Sequence, residues 1–138
     1  MENASRRLQI LMGDTLQILD HMKVDADKDT MLQQVKSDLQ EQNSQMDRLT
    51  KSDEEIINTA ISMTQSLDRI NNIVQQLEAS LMEDYQTSTG GIDEYQHMSI
   101  DEQREHPESY HDKIDYLSAV KIRENINRMN EVLLSIRS

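Results

Sequence analysis

Three histidines, His97, His106 and His111, fall in one acidic stretch beside Glu94, Asp101, Glu102 and Asp112. Imidazole and carboxylate are the groups a divalent cation takes, so a metal site is the first chemistry to weigh. Their spacings match no compact ligand motif on a helix, and the surrounding residues read as a solvated acidic loop. His21 falls on the polar side of an amphipathic stretch. Gly90-Gly91 lacks the Lys-Ser/Thr that completes a phosphate-binding loop. No Ser/His/Asp arrangement has support, and cysteine is absent, which removes thiolate nucleophiles, thiolate zinc sites and disulfides. Phe and Trp are also absent, and the four Tyr cannot supply an aromatic-lined pocket. The expectation is a non-enzymatic chain with no cofactor, no metal and no small-molecule ligand.

What the sequence does carry is a heptad stripe. With a at position 32 and d at 35, the a residues are Leu32, Leu39, Met46, Asp53, Ala60, Leu67, Val74 and Leu81. The d residues are Val35, Gln42, Leu49, Ile56, Met63, Ile70 and Leu77. All but Gln42 and Asp53 are apolar, and the alternating three-four spacing marks one face of a helix that lies against other helices. The two polar residues are read either as register-setting pairs across an interface or as points where packing lapses. Ser52 ahead of Asp53-Glu54-Glu55 would cap a new helix if the stripe is broken there. Leu-rich a positions with Val35, Ile56 and Ile70 at d lean towards three or four helices rather than two. Ile57, Ile61, Ile73 and Met82 widen the face over 56–82, so that half should meet more helices.

The stripe predicts a long central helix over about 30–85, opened by a capping box at Thr30-Met31-Leu32-Gln33 and closed by Thr87-Ser88-Thr89-Gly90-Gly91. An N-terminal helix is expected over about 5–23, with Leu8, Leu11, Met12, Ile18, Leu19 and Met22 on one face. Ile10 and Leu16 lie off that face, which implies cover on more than one side. Residues 24–29 lack apolar periodicity and read as a break, with a continuous, stuttered helix as the competing reading. A C-terminal helix over about 110–136 presents Ile122, Ile126, Met129, Leu133 and Ile136, thickened by Tyr116, Leu117 and Val120. It should return antiparallel onto 56–82. Between the last two helices, 86–110 reads as an acidic, partly disordered connector, with a short capped helix starting at Ser99-Ile100-Asp101-Glu102. The fold class is thus all-α, an elongated coiled coil or helical bundle, in a single domain over 1–138.

Charge narrows the partners. The net charge is −12 and the sequence pI about 4.6. Nucleic acid or an anionic membrane needs clustered Lys and Arg, so neither is expected. A weaker exception is a microtubule or nucleic-acid contact through Lys121, Arg123, Arg128 and Arg137 of the last helix. No run is long and apolar enough to span a bilayer. The segment behind Arg6-Arg7 is interrupted by Gln9, Gly13, Asp14 and Gln17, so it does not read as a signal peptide, and an intracellular chain, cytoplasmic or nuclear, is expected. Partners should be other helical proteins or the chain itself. The expected role is a structural or assembly subunit of a multi-protein complex, associating through its heptad seams. The alternative is a monomeric helical-bundle adaptor that binds a short helical motif in a Met-rich groove.

Overall fold

The structure, a computed structural model, describes residues 2–46 and 53–137. Among these it contains helices and no strand: α1 (Glu2–His21), α2 (Ala26–Gln45), α3 (Asp53–Thr89), α4 (Ile92–Gln96), α5 (Ile100–Arg104) and α6 (Pro107–Arg137). α1 packs on α2 and α6, and α3 also packs on α2 and α6, so the four long helices close a ring. Each neighbour runs antiparallel. Lys28 at the start of α2 meets Asp84 near the end of α3, and Lys36 meets Asp20 of α1. Asn71 meets Asn127, and Glu78 meets Arg123. This is an up-down-up-down four-helix bundle whose α3 and α6 are much longer than α1 and α2.

The all-α bundle and its long central helix are as the stripe implies, but that helix is α3 alone. The residues expected to begin it form the separate α2, folded back against it. α3 begins at Asp53, one residue after the Ser52 expected to cap a new helix if the stripe is broken there. A 56-residue rod would also have left its apolar face in water, whereas a hairpin buries it within one chain.

The other boundaries have similar causes. The break after α1 falls at residues 22–25. α2 is capped by Asp25, in extended conformation, and not by Thr30, which lies inside the helix. Asp25 O accepts from Lys28 N at 2.9 Å and from Asp29 N at 3.1 Å, while Asp27 and Asp29 sit in the favourable first turn. Gly90 closes α3 with φ 69°, a left-handed conformation that glycine adopts without steric cost. Pro107 begins α6, where its missing N–H costs nothing. The Ser99 cap is present, its side chain accepting from Glu102 N at 3.2 Å.

The core fills the centre of the ring. Leu8, Met12 and Leu19 of α1, Leu32, Val35 and Leu39 of α2, Met63 to Leu81 of α3, and Ala119 to Leu133 of α6 form one cluster. α6 does return antiparallel along α3. The segment between them is organised around aromatic rings: Tyr85 meets Tyr95 edge-on at 5.9 Å and stacks near Tyr116 at 6.2 Å. Gln103 is buried beside them, donating to Tyr95 O at 3.1 Å and accepting from Lys113 at 2.7 Å.

The Lys28–Asp84 pair tests the hairpin directly. In an unbroken helix the two residues would lie roughly 80 Å apart; here they are 2.7 Å apart. Lys28→Met, Asp84→Asn and the double variant, compared by urea unfolding, should give a coupling of about 1–2 kcal/mol. Additive effects would contradict the fold-back.

Candidate functional site on the α1–α6 face

The expected seam is buried by the chain itself. Leu32, Val35 and Leu39 on α2, Met46 just after it, and Ile56, Ala60, Met63, Leu67, Ile70, Val74, Leu77 and Leu81 on α3 are each at most 5% exposed. Leu49 lies outside the described residues, and of Asp53 only its place at the start of α3 is described. Gln42 is buried at 4% exposure, and its Oε1 has no hydrogen-bond partner among the described residues. It borders a polar pocket between α2 and α3 with Asp38, Glu41 and Arg69. On α6, Ile122, Ile126, Met129 and Leu133 are fully buried and Ile136 partly so. Met46, Met63 and Met129, which fall on the heptad faces, are buried in the core, as are Met12 and Met22.

The apolar surface left over gathers where α1 meets α6. Both helices are apolar on the side facing the core, yet each carries aliphatic residues beyond it. Ile10 is 57% exposed, Ile114 44% and Leu117 47%. Leu11 and Ile18 are half-buried. These residues flank a groove that holds three open cavities. One of about 470 Å³ is lined by Asp14, Ile18, Met22, Ile114, Asp115 and Lys121, among others. A second of about 370 Å³ lies between Arg7, Ile10 and Leu11 and the α6 residues Arg128 and Glu131. A third of about 230 Å³ lies between Ile18 and Leu117. The sequence shows Ile10 off the main face of α1 and Leu117 thickening the face of α6. It could not place them on one groove, because that requires knowing that α1 and α6 are neighbours.

At one end of the groove the chain buries a carboxylate. Asp115 is 5% exposed. His111 Nε2 lies 3.1 Å from it and 2.7 Å from the Lys23 carbonyl oxygen, tying the start of α6 to the α1–α2 turn. A carbonyl can only accept, so Nε2 carries the proton. Burial pushes Asp115 from its ordinary 3.8 up to about 6; His111 pulls it back down, while Asp112 and Asp25 add to the rise. Two other histidines are engaged locally: His21 Nδ1 lies 2.7 Å from Gln17 O and His97 Nδ1 2.5 Å from Asp93 O. Among the described residues no three His, Asp or Glu side chains gather closely enough to hold a metal ion, and no helix is long and apolar enough to cross a membrane.

Asp115 should leave a signature in stability. Its folded value lies above its unfolded one, so the folded chain keeps a proton that the unfolded chain releases. That contribution is fully present below about pH 4, declines as pH rises towards about 6, and is lost above. Asp115→Asn should therefore gain about 1–2 kcal/mol over the parent at neutral pH and almost nothing near pH 4. Urea midpoints of both proteins across that range check it, and a constant difference at every pH would refute the assignment.

Comparison with protein-family models, curated proteins and solved structures finds no match to this chain.

Proposed function

We propose that this chain is a non-enzymatic assembly subunit of a multi-protein complex, in an intracellular setting, and that it associates with other helical chains through the α1–α6 groove. The observation carrying this reading is the clustering of Ile10, Ile18, Ile114 and Leu117 on that groove. Scattered surface aliphatics need no explanation, but several lining one groove are what helix-in-groove docking uses. The heptad seam is the alternative surface. It supports association less well, because reaching it means opening the bundle core.

The chemistry-bearing residues favour a non-catalytic role. His21, His97 and His111 each lie against a backbone carbonyl, and the buried carboxylate at Asp115 is held by His111 and the Lys23 backbone. None of them is paired with a nucleophile.

The test is site-specific photo-crosslinking in the source cells, with p-benzoylphenylalanine replacing Leu117 in one protein and the exposed Gln33 of α2 in another. Adducts to a helical segment should form from position 117 and not from 33, and the purified partner should bind the parent chain but not Leu117→Glu. Equal adducts from both positions, or none from 117, would count against the groove.

A further inference from the structure

Where α6 passes the α1–α2 turn, one donor serves two acceptors. His111 Nε2 lies 2.7 Å from the Lys23 carbonyl oxygen and 3.1 Å from the Asp115 carboxylate. Asp115 is 5% exposed. Among the described residues no Lys or Arg pairs with it. The charged groups around it come from every element that meets there. Asp112 faces it from its own helix and Asp25 from the turn. Asp14 and His21 of α1 and Lys121 of α6 line the same cavity. Lys28, at the start of α2, is held by Asp84 and Asp27 instead.

We propose that the α1–α2 turn is a proton-operated clasp, which closes on α6 when Asp115 is protonated and lifts from it when Asp115 ionises. An ionised Asp115 under the closed turn is a buried carboxylate among other carboxylates, and burial disfavours the charged form. Water relieves that only if one element moves. α6 runs for 31 residues and is packed along α1 and α3, so it stays in place. The turn is held by much less. Lys23 and Asp25 are exposed, and Val24 is only partly buried. Asp25 caps α2 without a side-chain hydrogen bond. Polar ties from the turn to α6 run through the Lys23 backbone, to His111 and to Asp115. The cavity of about 470 Å³ beside Asp115 gives water a route to the carboxylate once the turn lifts. His111 does not reverse the sense. It reaches both acceptors through Nε2, and a second proton on Nδ1 leaves that N–H in place. The clasp does not depend on the groove being an association surface.

Hydrogen exchange of the full-length native chain, resolved by NMR and corrected for the intrinsic pH dependence of amide exchange, reads the clasp. The reporters are the amides of Met22, Lys28 and Asp29, whose hydrogen bonds flank the turn. With Asp115 at its ordinary 3.8 in the lifted turn and about 6 in the closed one, opening at these amides should rise about tenfold between about pH 5 and 7. Low urea should leave that opening almost unchanged, because lifting a turn exposes little surface. Asp115→Asn should keep the amides protected at both pH values. In the parent, the Asp115 carboxyl carbon shift should titrate near 6. A rise that survives Asp115→Asn assigns the proton to another group, His111 first, and overturns the proposal. A urea dependence equal to that of global unfolding leaves no separate movement of the turn and also overturns it. So does a carboxyl midpoint near the ordinary value, a result that needs no variant.

Discussion

A helix of 37 residues with an apolar side chain at every inward turn has one face that cannot be left in water. Burying each large aliphatic side chain is worth about 1.5–3 kcal/mol, and α3 presents such residues continuously from Ile56 to Leu81. α6 covers one flank of this face, α2 covers the other, and α1 closes the ring between them. The antiparallel order follows from the same constraint. Short connections before and after α2 allow only neighbouring, reversed helices. The longer segment between α3 and α6 carries the chain back from the end of the longest helix, and its Tyr95 and Gln103 pack at that end, Tyr95 against Tyr85 of α3.

Apolar packing alone leaves the vertical register of long helices loosely specified, and polar contacts along this bundle set it. Between α3 and α6, Asn71 donates to Asn127 at 3.4 Å, Asn130 donates to Asp68 at 3.1 Å, and Arg123 meets Glu78 at 2.7 Å. The positions descend one helix as they climb the other. Lys28 does the same between α2 and α3. Hydrogen bonding to Asp84 holds its ammonium above the ordinary lysine range despite the opposing effect of burial. These contacts carry a cost elsewhere. Gln42 Oε1, Asn125 Nδ2 and Tyr85 OH are buried without a protein partner among the described residues. Each such group opposes folding by about 1–3 kcal/mol.

The sequence makes the faces legible and hides the turns. The inward residues of α3 and α6 follow from periodicity because every one repeats at three or four. The reversal between α2 and α3 does not, because the heptad frame runs through it without a change of phase: Met46 and Ile56 both fall on frame positions and both are buried. A reversal that preserves phase is invisible to a test based on phase. Its remaining trace is Ser52-Asp53-Glu54-Glu55, a helix-start signal inside an apparently continuous stripe. Lys28, Asp115 and Asn125 were not legible as buried residues for a different reason. Nothing in their own spacing separates them from solvent-facing residues, and their burial comes from the opposite helix.

This division bears on where association should be sought. A heptad seam in a sequence suggests intermolecular packing, but a seam that meets the chain's own helices is no longer available to another chain. What remains for partners is apolar surface that the fold does not use. Ile10, Ile18, Ile114 and Leu117 qualify because they flank one groove, whereas exposed Ile100 and Leu134 do not line it. The groove also joins the two helices farthest apart in the chain, the first and the last of the ring. Docking there would bind the two terminal helices to one another without opening the core. It would therefore add to the packing that already holds α1 on α6 and stabilise the bundle.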